Sequence, residues 1–438
     1  MFDKRKLKHL LQFKSRSKLR AIISNTAWLF GDRILRMVGG LLVGIWFARY
    51  LGSQQFGLFN YALAFVTLLT PIFTLGLDNV VVRYLVKEDS SKDEILGTTF
   101  GLKLVGGIVS VLLAVIIIFF LEGETTLTVW LVAILSITGI FRATDTIDLW
   151  FQSQVQSKYS VIAKNVAYLL TTILKVVLII NQASLLAFAW VTLAEVVIAA
   201  ICLVAIYQTQ EVVRFFDWKW SLPTAKYLMR ESFPLILSGF AILLYMKVDQ
   251  IMLGQMKSDS EVGVYSAAVR ISELWYFIPN TIVLSVTPAI YAAKEKSEQY
   301  YYKRLTQLLR LLNYISLVIS IPMTFLSKDI VLIMFGNEYA AAGSILAVHI
   351  WASVFVSMGL ATSPWFIAEG LNHVSLGKTV FGAILNIVLN FLLIPQYGGI
   401  GAAFATISSQ AASTFFCNAF DRRTRKLFKI QARSLLPF

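Results

Sequence analysis

The feature that most constrains this chain is a series of apolar runs, each about 20 residues or longer, which is the length that crosses the hydrocarbon core of a bilayer as a helix. Of the 438 residues, 57% are hydrophobic, and the mean hydropathy is +0.70. We therefore predict an all-α, polytopic membrane protein. Hydropathy windows of about 19 residues predict twelve transmembrane helices, near residues 23–48, 56–82, 96–121, 126–151, 160–180, 184–207, 232–254, 262–290, 305–326, 341–368, 374–394 and 399–420.

The charged residues lie mostly between these runs, with 39 Lys and Arg against 25 Asp and Glu. Basic residues dominate the two termini and alternate inter-span segments, so the positive-inside rule predicts that both termini are cytoplasmic. Short basic segments between apolar runs do not form the folded basic surface that nucleic-acid binding needs. Cys202 and Cys417 fall in separate apolar runs without metal or disulfide spacing, and no cofactor is predicted.

A sequence echo divides the chain into halves. Leu51-Gly52 followed by Phe56-Gly57 corresponds to Leu253-Gly254 followed by Val262-Gly263, about half the chain later. Six spans per half return the chain to the same side, so we predict two pseudo-symmetric six-helix lobes with a substrate path between them. The predicted divisions are a basic cytoplasmic segment 1–22, an N-lobe 23–210, a cytoplasmic linker 211–231, a C-lobe 232–420 and a basic cytoplasmic tail 421–438.

Ionisable residues occur inside the predicted spans, where each costs about 2.5–3.5 kcal/mol on insertion scales unless it meets water or a partner. Three pairs have the spacing of neighbours on one helix face and can neutralise each other locally: Asp32 with Arg36, Arg142 with Asp145, and Arg270 with Glu273. Lys164, Lys175 and Arg310 lie nearer predicted helix ends, where long side chains are expected to snorkel to the headgroups.

Other intramembrane charges have no evident partner in their own helix and are the better functional candidates. They are Arg33, Lys103, Lys247, Glu195 and Asp249. Cations slightly outnumber acids among the deeper groups, which suits an anionic substrate, since arginine can offer two parallel donors to phosphate oxygens.

Several short motifs, taken in order, resemble a known family. They are Ala48-Arg49-Tyr50-Leu51-Gly52 with Phe56-Gly57, Val248-Asp249-Gln250-Ile251-Met252-Leu253-Gly254, Phe335-Gly336-x2-Tyr339, and Pro395-x-Tyr397-Gly398. This order is similar to that of the polysaccharide-export flippases, the O-antigen type, of the multidrug/oligosaccharidyl-lipid/polysaccharide (MOP) superfamily.

The resemblance implies a non-enzymatic transporter that moves a polyprenyl-diphosphate-linked oligosaccharide from the cytoplasmic to the outer leaflet by alternating access, for O-antigen, capsule or exopolysaccharide synthesis. It also implies a monomer that can associate with a polysaccharide polymerase. On this reading the substrate-binding candidates are Arg33, Arg36, Lys103, Arg142, Lys247 and Arg270. The candidates for coupling to H⁺ or Na⁺ are Asp249, Glu195, Glu273 and Asp32.

Two other classes stay open on sequence grounds. A drug or cation exporter of the same superfamily would share the fold but is expected to have an acid-dominated cavity. A membrane glycosyltransferase or polymerase would need acidic or metal-binding residues on a sizeable outer loop, and the predicted outer loops are short.

Overall fold

The computed structural model describes residues 4–87, 92–123, 126–210 and 215–435, and side chains from residue 24 onward within these ranges, Phe216 excepted. Every regular element in this part of the chain is helical, as the apolar runs predict. The helices of the first half are α1 Lys4–Leu68, α2 Thr70–Thr74, α3 Asp78–Lys87, α4 Lys92–Glu122, α5 Leu127–Ser136, α6 Thr138–Phe141, α7 Asp145–Ser153, α8 Lys158–Ile180 and α9 Leu185–Gln210.

The second half continues in the same manner. Its helices are α10 Leu222–Met256, α11 Asp259–Leu274, α12 Phe277–Lys296, α13 Glu298–Phe335, α14 Ala340–His349, α15 Ala352–Ala368, α16 Asn372–Ala411, α17 Cys417–Phe420 and α18 Arg425–Ser434. A π-helical turn over Ala412–Phe416 connects α16 to α17.

The chain divides into two compact units. The first holds the described residues up to Gly44 together with Leu69–Leu237, and the second holds Ile45–Leu68 and the described residues from Ser238 onward. The end of α1 therefore packs with the second half of the chain, and the predicted lobe boundaries stay predictions.

Each unit has its own apolar core. In the first, Leu77, Ile147, Phe151 and Tyr207 are fully buried. In the second, the core joins α12, α13, α15 and α18 through Ile290, Leu309, Trp365 and Leu427. Because many other apolar side chains face outward, such as Phe120 and Phe325, the outer surface suits lipid.

Two long helices are broken at glycines whose φ lies in the left-handed region, which glycine adopts without a Cβ clash. Gly52 has φ 71° inside α1, and Gly398 has φ 54° inside α16. The backbone N–H groups that follow the breaks donate to carboxylates: Ser53 to Glu338 Oε1 at 2.5 Å, and Gly399 to Glu261 Oε2 at 3.1 Å. Both breaks thus use an acid from elsewhere in the second unit.

Nine helical segments in the described ranges are long and apolar enough to cross a membrane, or ten if the bent pair Asn337–His349 and Ala352–Ala368 is one span. The protein is therefore a multi-pass membrane protein, as predicted. Two of the nine segments, Ser24–Lys87 and Asn372–Phe420, contain the glycine breaks. The predicted number of twelve remains a prediction.

Candidate functional site

The first unit brings together a network of four charges from α1, α8 and α9. Arg36 Nε donates to Asp32 Oδ1 at 2.8 Å, one turn away on α1. Its Nη1 lies 3.6 Å from Glu195 Oε1, and Lys175 Nζ lies 3.2 Å from Glu195 Oε2. The guanidinium of Arg36 also lies over the ring of Tyr168, 5.0 Å from its centre. The predicted Asp32–Arg36 contact is confirmed, and Glu195 finds its partners on other helices.

A second group of charges in this unit centres on Lys164. Its Nζ lies 3.0 Å from Asp145 Oδ1 and 2.7 Å from Asp148 Oδ2. The expectation that Lys164 and Lys175 snorkel is wrong, because each is used by carboxylates on neighbouring helices. Asp145 forms its ion pair with Lys164 and not with Arg142, whose guanidinium lies over the Phe73 ring, 5.8 Å from its centre. The predicted Arg142–Asp145 pair is therefore present as a longer-range attraction and not as a direct contact.

The cationic candidates of the first unit differ in exposure. Lys103 is only 2% exposed, and its Nζ is held by Asp78 Oδ1 at 2.7 Å, so it is largely neutralised. Arg33 and Arg142 are exposed, and Arg36 is half-buried. Among the described residues, Arg142 has no carboxylate within ion-pair distance. Among the cationic candidates of this unit, Arg142 is therefore exposed and forms no ion pair with a described carboxylate.

The second unit encloses a buried carboxylate, that of Asp249. Asp249, on α10, is 3% exposed and accepts hydrogen bonds from three neutral donors on α11 and α16. Tyr265 Oη lies 2.7 Å from Oδ2, Thr406 Oγ1 lies 2.5 Å from Oδ2, and Asn390 Nδ2 lies 2.5 Å from Oδ1. Within the described part of the chain no cation lies within ion-pair distance of it. A buried carboxylate without a paired charge has a strong tendency to bind a proton or a metal ion.

Two asparagines complete this cluster. Asn390 Nδ2 also donates to Asn386 Oδ1 at 3.1 Å, one turn earlier on α16. Asn386 Nδ2 and Asn390 Oδ1 are buried and have no hydrogen-bond partner in the described structure. A buried amide oxygen without a donor is unusual. It adds a further potential oxygen ligand beside Asp249, the ligand type that a small hard cation prefers.

The remaining candidates of the second unit are Lys247, Arg270 and Glu273, all half-buried. Sequence reasoning missed Asn386, Asn390, Thr406 and Tyr265 because they are uncharged. The polar pair Asn386 and Asn390, one turn apart in an apolar run, was the available signal. Groups of three or more His, Cys, Asp and Glu side chains that could hold a metal do not occur in the described ranges.

Solved structures with this architecture include transporters. An inward-facing multidrug resistance MATE family transporter of the MOP superfamily superposes with a TM-score of 0.72 at 15% identity, covering 91% of this chain and 96% of that one. The lipid II flippase MurJ in an inward closed conformation gives 0.72 at 16%, covering 94% and 91%. The chain therefore has the fold of MOP-superfamily transporters.

Matches to family models narrow the class of transporter to which this chain belongs. The family described as polysaccharide biosynthesis protein matches residues 22–294, more than half of the chain, and the MatE family matches 234–392. This chain belongs to the polysaccharide biosynthesis protein family, as the motif order predicts.

Curated relatives are of the same kind. "Probable flippase AglR" of Haloferax volcanii is 32% identical over 38% of this chain and 35% of its own length. "Probable low-salt glycan biosynthesis flippase Agl15" of the same organism is 28% identical over 45% and 42%. The chain thus matches less than half the length of these two. The capsular polysaccharide biosynthesis protein CapF of Staphylococcus aureus is 20% identical over 92% of this chain and 100% of its own length.

Proposed function

We propose that this chain is a flippase that carries a polyprenyl-diphosphate-linked oligosaccharide from the cytoplasmic to the outer leaflet of the inner membrane, for synthesis of a cell-surface polysaccharide. The observation that carries the proposal is the family match over residues 22–294, on a fold shared with the lipid II flippase MurJ. Such a protein moves its substrate across the bilayer without breaking a bond, and membrane-spanning helices are suited to form the path.

The diphosphate head is the charged part of such a substrate, and exposed arginines are suited to it because guanidinium donors match phosphate oxygens. Arg142 and Arg33 are exposed, while Arg36, Lys247 and Arg270 are half-buried. We assign the head-group contact first to Arg142, which is exposed and forms no ion pair with a described carboxylate, and give Lys103 a structural role with Asp78.

The test is transbilayer movement of a short polyprenyl-diphosphate oligosaccharide in proteoliposomes, detected by a lectin or glycosidase added outside. Wild-type protein should expose the sugar, Arg142→Gln should slow this by about tenfold or more, as expected for loss of a charge-assisted contact, and Arg142→Lys should retain most of the rate. Arg304→Gln, at the exposed start of α13, is the matched control. An unchanged Arg142→Gln rate would remove the assigned contact, and an inactive wild-type protein would remove the proposed function.

Helix lengths support a count of twelve spans with both termini on one side. The segment Ser24–Lys87 has 64 residues and Asn372–Phe420 has 49. At about 1.5 Å per residue each is far longer than the bilayer core of about 30 Å. If the breaks at Gly52 and Gly398 each separate two crossings, the nine segments and the bent pair give twelve.

Asp249 is the residue that we assign to ion coupling. Hydroxyl and amide groups surround its carboxylate, and their oxygens can bind a proton or Na⁺ together with it. Asp32 and Glu195 are less suited, because Arg36 and Lys175 already neutralise them, and Glu273 is only half-buried.

A drug or cation exporter is the second candidate, since the MatE family matches residues 234–392 and a MATE transporter shares the fold. The buried acid Asp249 is the feature that favours it. Efflux of a cationic dye from proteoliposomes, without movement of the lipid-linked sugar, would support this candidate over the flippase.

A further inference from the structure

The C-terminal helix α18 separates its buried and exposed faces completely. Leu427, Gln431 and Ser434 are fully buried on one face, at the spacing of successive turns. The side chains of Arg422, Arg425, Lys429 and Arg433 are exposed on the helix and on the turn before it. The exposed face therefore carries cations only.

The buried face is fixed by specific contacts, so the basic face has a defined position. Gln431 accepts a hydrogen bond from Asn418 at 2.8 Å and donates to the Thr414 carbonyl at 2.9 Å. Ser434 Oγ accepts from Asn313 Nδ2 at 2.8 Å. Side chains of α13 and of the last span thus hold α18 in place.

Little in the protein neutralises the exposed face. Arg422, Lys429 and Arg433 have no hydrogen-bonding or ion-pair partner among the residues that the structure describes. The nearby carboxylate of Asp421 is used by Arg423, whose hydrogen bonds hold the pKa of that carboxyl below its usual range. Lys426 is held by Glu298 at 2.5 Å. Three guanidinium or ammonium groups are left without a counter-charge.

The position of α18 directly after the last candidate span indicates lipid headgroups as the partner of its basic face. The last candidate span ends at Phe420, which is 83% exposed, and α18 begins five residues later. At about 1.5 Å per helical residue and a Debye length of about 8 Å at physiological salt, we expect the basic face to lie within electrostatic reach of the headgroup layer. Basic residues placed just cytoplasmic of a membrane helix attract anionic lipids.

We propose that the exposed face of α18, formed by Arg422, Arg425, Lys429 and Arg433, is a docking surface for the anionic phospholipid headgroups of the leaflet that surrounds the protein. The lipid covers α18 and secures this end of the second unit. This inference does not depend on the flippase assignment.

The test is hydrogen–deuterium exchange of the full-length protein in nanodiscs of phosphatidylcholine alone and in nanodiscs that also contain phosphatidylglycerol. Each basic residue near an anionic surface contributes about fivefold in binding. We therefore expect the amides of 425–434 to exchange about tenfold or more slowly with phosphatidylglycerol, and high salt to abolish the difference.

The triple variant Arg422→Gln, Lys429→Gln, Arg433→Gln should lose this lipid-dependent protection. The matched control is Lys87→Gln, Lys226→Gln, Arg230→Gln, which removes the same charge from exposed positions of the first unit and should keep it. The charge-preserving variant Arg422→Lys, Arg433→Lys should also keep it and excludes a folding defect. Equal loss in both triple variants, or protection unaffected by phosphatidylglycerol in the wild type, would overturn the proposal.

Discussion

At the scale of single residues, Asp249 is the clearest case of a buried charged group that lowers the stability of the fold. It lies among Tyr265, Asn390 and Thr406 with no cation beside it in the described structure. An asparagine has nearly the same shape, can keep part of the hydrogen bonding and carries no charge.

We predict that Asp249→Asn leaves the thermal unfolding temperature unchanged or higher, because no charge is buried, while gradient-driven transport falls at least tenfold. Transport is measured in proteoliposomes under a pH gradient and, separately, under a Na⁺ gradient. Asn386→Ala is the companion variant, expected to weaken transport less. Undiminished transport by Asp249→Asn under both gradients would contradict the coupling role.

For a variant of Lys164 we predict lower stability, the opposite of the effect predicted for Asp249→Asn. Lys164→Met leaves Asp145 and Asp148 as neighbouring like charges. Breaking a fully buried ion pair costs about 3–5 kcal/mol, and since these groups are partly exposed we expect roughly 1–3 kcal/mol, seen as a lower unfolding temperature in detergent. Lys226→Met, at an exposed site of the same unit, should have no effect.

The residue scale also shows what the sequence could predict. A pair one helical turn apart, Asp32 with Arg36, is confirmed because helix geometry alone brings its members together. The partners of Lys164 and Lys175 come from other helices, and helix packing is not encoded in local spacing. Sequence reasoning could therefore pair charges within one helix but not charges on different helices.

At the scale of elements, the two copies of the repeated motif, around Gly57 and Gly263, contact each other in the structure. A Cβ on Gly57 would overlap the Asp259 carbonyl oxygen, and a Cβ on Gly263 would overlap the Ser53 carbonyl oxygen. Beside them the Ser53 and Ser260 hydroxyls are 2.8 Å apart. The two copies of the motif are in direct backbone contact, which only glycine allows.

This contact supplies a test of alternating access. If residues 45–68 move with the N-lobe, as in the predicted division, alternating access separates Ser53 from Ser260, whereas they stay together if 45–68 move with the second unit. We predict that Ser53→Cys with Ser260→Cys, in a chain with Cys202 and Cys417 replaced by serine, loses transport on oxidation and regains it on reduction.

The control pair is Ser316→Cys with Ser357→Cys, whose hydroxyls are also 2.8 Å apart, on α13 and α15 of one predicted lobe. Oxidation there should leave transport intact. Equal rates for the oxidised and reduced Ser53/Ser260 variant would show that this contact does not open.

Hydropathy predicts where the two breaks lie, because the gaps between the predicted spans, 49–55 and 395–398, contain Gly52 and Gly398. It does not predict which groups bond the backbone at the breaks. The acids that bond the freed amides, Glu338 and Glu261, are distant in sequence. Their role depends on the folded arrangement of the second unit.

At the scale of the whole molecule, the all-α membrane class was predictable because composition and run length allow little else. Family membership followed from the order of loose motifs. The position of 45–68 within the second unit was not predictable, because chain order gave no indication that a segment of the first half packs there.

Topology is the prediction that belongs to this scale. Lys303 and Lys328 lie near opposite ends of α13, both exposed, and are separated by about 37 Å at about 1.5 Å per residue. In a chain with Cys202 and Cys417 replaced by serine, Lys303→Cys should react with a membrane-impermeant maleimide only after the cells are opened, and Lys328→Cys in intact cells. Labelling of both from the same side would contradict the positive-inside assignment.

The mutual approach of Gly57 and Gly263 has a consequence for ancestry. Gly57 contacts the carbonyl of Asp259, four residues before Gly263, and Gly263 contacts the carbonyl of Ser53, four residues before Gly57. The two copies of the motif therefore make equivalent contacts with each other. A surface of that kind is self-complementary, as in a two-fold symmetric dimer. A half-length precursor with a single copy could have joined its identical twin through this patch, and gene fusion would then have preserved an interface that already worked.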